Sequence, residues 1–332
     1  MQKKFKQVQQ LIAESKNVLL PLHLHPDGDM VGSGLAMAAY LRRLGKKVRV
    51  VSADPVDPEW KFLPYFDWIE NIDPAELDLR DFDLIAFIDY NTPKRITNAD
   101  EISIPKNVRC FCFDHHPPGK LFCPLSIVDS QKASSSTQLL LRYFEAVDFP
   151  INQEIATLLY WGLLLDSGLF EYGKDYKLLH EDAIKLIAAG APHDELVFFM
   201  KRNTSPSVIK CLAKGLSRIK IDKENKFFWI TLPYSELGDI DDPKVDCYGI
   251  TPYLKVLKGT DFGVLLLEEE PKVIRGNLRS RRQDGFDVSQ IAKALGGGGH
   301  PPAAGFTLKM PLKKAEGLVL KTARKFSSRS NS

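Results

Sequence analysis

Four short segments in the first third of the chain, residues 18–22, 48–52, 83–89 and 108–114, most restrict what it can fold into. The first is a continuous apolar run, the pattern of a strand buried on both faces of a parallel sheet. Residues 31–44 then carry apolar side chains at helical spacing and close on Gly45, a residue suited to the left-handed turn that ends a helix. Strand, helix and strand repeated in this order predict a parallel α/β sheet. Further helices are expected over residues 134–145 and 153–165.

Polar residues gather where these segments end. His23, His25, Asp27 and Asp29 follow the first segment, Asp89 closes the third, and Asp114, His115 and His116 close the fourth. In open α/β sheets the crevice beyond the carboxyl ends of the strands is where ligands bind. A lone Asp at a strand end is ordinarily a turn residue or helix cap, and Asp166-Ser167-Gly168 by itself reads as a helix-ending turn. Together, however, carboxylate oxygens mixed with imidazole nitrogens suit a pair of divalent cations. Pro26 and Gly28 shape a tight turn that can aim Asp27 and Asp29 at different ions, with His23 joining one of them. Asp89 could bridge both ions, and His115 and Asp166 would complete the second set. Carboxylates this close repel one another unless cations neutralise them. Two imidazoles tilt the choice towards manganese, with magnesium as the alternative. Two such ions would clamp a phosphate and acidify a shared water, leaving His116 to donate a hydrogen bond or proton to the leaving oxygen. His25 is expected to pack or to face solvent.

At 332 residues the chain exceeds one typical core. The expected division is a metal-binding domain over residues 1–190, a linker with a connecting helix over 191–220, and a smaller mixed α/β domain over 221–332, with a cleft between the domains. Strands are expected near 227–232, 262–267 and 273–278 of the second domain, and helices near 246–257 and 287–295. Four glycines, Gly296 to Gly299, precede His300; bare backbone can approach a phosphate and offer it N–H groups. A flexible surface loop is the plainer reading of such a run. The net charge of +3 is too small to indicate a partner. The basic tail from Lys313 to Arg329 reads as a solvated helix and frayed end. No apolar run approaches the roughly 20 residues that a bilayer requires. Five cysteines without a signal peptide point to reduced thiols and a cytoplasmic protein.

The chain resembles the DHH phosphoesterases with their DHH-associated C-terminal domain, over almost its whole length. The resemblance is carried by His23-x-x-Pro26-Asp27-Gly28-Asp29 with Gly32-Ser33, by Asp89, by Asp114-His115-His116, by Ala133-Ser134-Ser135-Ser136, by Asp166-Ser167-Gly168, and by Gly297-Gly298-Gly299-His300 with Ala303-Ala304-Gly305. Size and layout are similar to the NrnA-type branch, which trims very short RNAs and dephosphorylates 3′-phosphoadenosine 5′-phosphate; close relatives act on cyclic di-AMP or its linear product. The resemblance implies one manganese held by His23, Asp27 and Asp89, and another held by Asp29, Asp89, His115 and Asp166. It implies that His116 contacts the scissile phosphate, that Asp114 orients ligands, and that Arg279 and His300 grip another phosphate beside Gly297, Gly298 and Gly299. The planar fork of Arg can take two phosphate oxygens at once. His25, Gln138, Ser167, Arg275 and Asn277 depart from the family pattern, and none of them removes a metal ligand.

The expected function is therefore hydrolysis of oligoribonucleotides only a few residues long, with cleavage of cyclic or linear dinucleotides as the alternative. A long-strand exonuclease of the RecJ type would call for a broad basic stripe or an added binding module. An inorganic pyrophosphatase fits the glycine run and His300 less well, and a binding protein without chemistry would be expected to lack a ligand. Expected partners are a short RNA or dinucleotide and no membrane, with a homodimer left open.

Overall fold

A computed structural model describes residues 1–90, 92–117, 119, 121–282 and 284–330, without the side chains of 328–330. Arg329, the last residue of the basic tail, thus has its side chain outside the described residues. The chain forms two compact units, residues 1–200 and 201–332.

The first unit runs α1 (Gln2–Ala13), β1 (Asn17–Pro21), α2 (Gly28–Arg43), β2 (Lys47–Val51), β3 (Ile69–Glu70), β4 (Leu84–Ile88), β5 (Arg109–Asp114) and β6 (Leu125–Val128). Four helices follow: α3 (Ser136–Ala146), α4 (Gln153–Asp166), α5 (Tyr176–Ala188) and α6 (His193–Arg202). The sheet order is β3-β2-β1-β4-β5-β6 and every pairing is parallel. Strand order reverses between β1 and β4, which makes their carboxyl ends the switch point where an α/β sheet opens a crevice. All five residues of β4 are buried, and Leu84, Ile85, Phe87 and Ile88 each contribute about 1.5–3 kcal/mol by leaving water.

Helix α4 is buried on every side over residues 155–164, which explains its lack of amphipathic spacing. It packs closely on α2, because a Cβ at Gly32 would lie 2.4 Å from the carbonyl oxygen of Leu158. Only glycine allows that approach.

The stretch expected as a linker with a connecting helix holds two helices rather than one. Helix α6 occupies residues 193–202, and α7 (Pro206–Leu216) begins the second unit's regular structure. A proline stands at the start of each: Pro192 lies just before α6, and Pro206 is the first residue of α7, whose N-cap Ser205 accepts from the Val208 amide at 3.2 Å. Proline suits a helix's first turn, where its missing N–H would have no partner in any case.

The second unit continues with β7 (Lys220–Asp222), β8 (Phe227–Leu232), α8 (Pro243–Asp246), β9 (Phe262–Glu270), β10 (Val273–Ser280), α9 (Ser289–Ala294), β11 (Gly298–His300), β12 (Ala303–Lys309) and α10 (Leu312–Ser330). Its sheet runs β11-β12-β10-β9-β8-β7, with β8 and β9 parallel and the other pairs antiparallel. One apolar layer includes Val288, Ile291, Ala315 and Val319; the other includes Cys211, Cys247, Ile250 and Leu254. The helix expected near 246–257 is a 3-10 segment, Cys247–Lys255, with Pro252 inside it.

The expectation of reduced cysteines holds for three of the five. Cys110, Cys112 and Cys123 are free, whereas Cys211 and Cys247 form a disulfide with Cα atoms 5.4 Å apart. Packing of α7 against the 3-10 segment brings that pair together, and a spacing of 36 residues gave no sign of it. Among the described residues no helix is long and apolar enough to cross a membrane.

Candidate metal centre

Each strand and helix end at the switch point delivers one part of a polar cluster. His23 follows β1 and is buried, with Nδ1 2.8 Å from the Leu24 carbonyl oxygen. Asp27 caps α2 by accepting from the Met30 amide at 3.0 Å, so the ordinary capping role is realised. Asp29, in the first turn of α2, is wholly buried. Its carboxylate accepts from the amides of Ser136 and Thr137, at 2.6 and 3.0 Å, where α3 begins.

Asp89 leaves β4 with φ +66°, a left-handed conformation that Asp tolerates better than most residues. One of its carboxylate oxygens lies 3.3 Å from His115 Nε2 and the other 3.4 Å from His23 Nε2. Ser136 Oγ also donates to the first of these, at 2.9 Å. Asp166, the last residue of α4, places its carboxylate 3.1 Å from His115 Nε2. Asp114 accepts from the His116 amide at 3.0 Å and lies 2.8 Å from its Nδ1.

The donors fall into overlapping sets whose atoms lie within 4.8 Å of one another: His23, Asp27 and Asp89; Asp29, His115 and Asp166; and Asp89, His115 and His116. His25 stays outside them, 93% exposed and 3.0 Å from Asp54. The roles of Ser136 and Thr137 were not assigned from sequence, although the serine run was noted. A polar run opening a buried helix was the available signal.

Crowding of charge is evident in the titration of the cluster. Burial, and then the charges of Asp166 and Asp89, push the carboxyl of Asp29 well above the usual carboxylate range. Burial acts likewise on Asp89, but the imidazoles of His115 and His23 outweigh it and hold that carboxyl low. For His115, burial disfavours the cation, yet Asp166 and Asp89 prevail and raise the imidazole far above its ordinary value. Buried carboxylates balanced by retained protons are a donor set that divalent cations fit, since the cation takes over the role of the proton.

Residues 17–163 match the DHH family, N-terminal domain, and residues 249–328 match the DHHA1 domain. The chain is 30% identical over 313 residues to the bifunctional oligoribonuclease and PAP phosphatase NrnA of Thermus thermophilus, covering 92% of this chain and 89% of that one. The chain belongs to the DHH family. The NrnA of Bacillus subtilis is 24% identical, with 88% of this chain and 89% of that protein covered. In shape, the DHH chain follows the crystal structure of an exopolyphosphatase-related protein from Bacteroides fragilis, with a TM-score of 0.91, 24% identity, and coverage of 100% and 98%.

The DHHA1 match contains the residues read as phosphate-gripping. Arg279 on β10 and His300 on β11 are both in register with Ala303 of the strand between them. Burial lowers the basicity of the Arg279 guanidinium, which donates to the Leu278 carbonyl at 3.0 Å. The glycine run is not an open loop: Gly298 and Gly299 belong to strand β11. Gly297 is required by packing, since a Cβ there would lie 2.1 Å from the Gly305 carbonyl oxygen.

Proposed function

We propose that this DHH protein is a two-metal phosphoesterase that hydrolyses very short oligoribonucleotides to mononucleotides and 3′-phosphoadenosine 5′-phosphate to AMP. The observation that carries the reading is Asp89, whose two oxygens face His115 and His23 of two adjoining donor sets, in a chain 30% identical to a bifunctional oligoribonuclease and PAP phosphatase. His23, Asp27 and Asp89 would hold one ion, and Asp29, Asp89, His115 and Asp166 the other. The mixture of carboxylate and imidazole favours manganese over magnesium. Bound there, the ions would polarise a phosphoryl oxygen and make a water acidic enough to attack near neutral pH.

The remaining work falls to the chain's own groups. His116 has a half-exposed ring with Nδ1 tied to Asp114, so Nε2 is its donor towards a leaving oxygen. Asp114 acts through His116 as a positioning residue. Arg279 and His300 supply the hold on a second phosphate, and Gly297, Gly298 and Gly299 keep that strand edge narrow.

The test is a competition with manganese present, offering 5′-labelled RNA of two to seven nucleotides together with cyclic di-AMP. Stepwise release of mononucleotides with the cyclic compound intact is the expected result. Faster ring-opening of cyclic di-AMP would replace this reading with a second-messenger phosphodiesterase.

A further inference from the structure

A histidine that ligates a metal through one nitrogen almost always fixes its ring by donating from the other. Of the two imidazoles read as ligands, His23 follows this rule, with Nδ1 2.8 Å from a main-chain carbonyl, and the neighbouring His116 ring is fixed in the same manner by Asp114, 2.8 Å from its Nδ1. His115 does not. Its Nε2 faces Asp166, Asp89 and Asp29 at 3.1, 3.3 and 4.0 Å, while its buried Nδ1 has no hydrogen-bond partner among the described residues. The ring with the most carboxylate neighbours lacks the usual anchor.

The anchor lies instead on the main chain. Lys174, in the segment joining α4 to α5, donates from Nζ to the carbonyl oxygen of His115 at 2.7 Å. Its own amide is fixed by Ser134 Oγ at 3.1 Å. Ser134 is fixed in turn, donating from its amide to Gln138 Oε1 at 2.7 Å, and Gln138 Nε2 donates to Asp182 at 2.8 Å. Ser134, Gln138 and Asp182 are all buried. A chain of hydrogen bonds thus runs from α5 through the start of α3 to the backbone of His115. Gln138 makes it continuous, because an amide can both accept from Ser134 and donate to Asp182, which a carboxylate cannot. The same lysine follows Asp166 by eight positions in sequence, beyond a turn in which Gly168, Leu169 and Phe170 all have positive φ. That conformation is costly for bulky residues and persists only where the surroundings enforce it.

We propose that Lys174 is a positioning residue of the metal centre, holding His115 through its main-chain carbonyl and tying it to the segment that follows Asp166. This rests on the two-metal reading above. A plain surface lysine satisfying a spare carbonyl predicts something different, and the sign of one measurement separates the two. Removing a nearby positive charge alone would tighten cation binding. Removing an outer-shell anchor loosens it, by about 10–100-fold where such partners have been changed.

The experiment is calorimetric titration of the full chain with manganese, comparing the wild type with Lys174→Met, Lys174→Arg and Ser134→Ala, alongside kcat and KM on a 5′-labelled diribonucleotide. In Lys174→Met, one of two manganese sites should weaken about 10–100-fold. The variant's kcat should fall more than its KM rises, with an unchanged melting temperature. Lys174→Arg, which still donates to a carbonyl, should recover most of the loss, and Ser134→Ala should move affinity the same way by a smaller factor. Manganese binding in Lys174→Met equal to or tighter than wild type would overturn the proposal while leaving the two-metal reading in place. A wild-type chain that binds no manganese would overturn that reading itself.

Discussion

Asp89 carries the most consequence of any single residue, because it combines an unusual backbone, complete burial and contacts to both neighbouring imidazoles. Asn adopts the left-handed conformation about as readily as Asp and has the same shape, so Asp89→Asn isolates the charge. This variant should fold normally, bind less manganese and lose more than about 100-fold in kcat, a larger loss than outer-shell changes cause; turnover surviving the change would remove the two-metal model. His115 supports a second expectation. In the metal-free chain Asp166 and Asp89 keep its imidazole protonated far above the ordinary range, whereas a metal needs it neutral. Binding must therefore expel a proton, and apparent affinity should rise with pH over the whole range below the raised folded value of this imidazole, by about tenfold per unit for each proton displaced, and level off above it. For stability without metal the sign is opposite. A raised imidazole contributes stability that is full below about pH 6.5 and lost as pH climbs through its folded value. Manganese titrations in two buffers of different ionisation enthalpy count the protons, and a count of zero contradicts this account.

Among the elements, the crossing of α2 and α4 brings Asp29 and Asp166 near one imidazole. It depends on Gly162 as well as Gly32, since a Cβ on Gly162 would lie 2.8 Å from Asp29 Oδ1 and 2.6 Å from Thr137 Cγ2. Gly162→Ala should therefore cost about 1–3 kcal/mol by overpacking and also disturb Asp29, lowering manganese affinity in the same variant. Urea unfolding and metal titration test both parts, and full metal affinity in this variant would show that Asp29 does not depend on the crossing. Sequence could not signal this contact, because a glycine inside a helix looks the same whether or not another helix crosses it. The strand ends were legible for the opposite reason: β1, β4 and β5 are parallel strands whose residues are mostly buried, so a His or Asp ending such a run is conspicuous. Helix α6 lies within the stretch expected to hold the linker, and Pro192 before it punctuates the chain whether a linker or a helix follows. The helix expected near 246–257 is a 3-10 segment, and Pro252 inside it cannot donate to an α-helical ladder. The strand β11 was hidden by glycine, which carries no side chain to show the alternation of a strand.

For the whole molecule, the two units hold different stabilising devices and should respond to different agents. The proposed metal ligands all lie within residues 1–200, and the Cys211–Cys247 disulfide lies within 201–332. On the two-metal reading, manganese would bind the folded site far better than an unfolded chain, so at a hundred times its Kd it should add about 2.7 kcal/mol. For a unit of this size that is a rise of roughly 5–10 °C in melting temperature. The disulfide spans 36 residues, and by the chain-entropy argument a cross-link of that span contributes about 4 kcal/mol by restricting the unfolded state. Each unit also has its own apolar core, so calorimetry of the full chain should resolve two transitions. Chelation should lower one of them and leave the other in place, while a Cys211→Ala, Cys247→Ala double variant should do the reverse. A single transition shifted by both treatments would mean that the units unfold as one cooperative body, and independent melting would then be the wrong account of this chain.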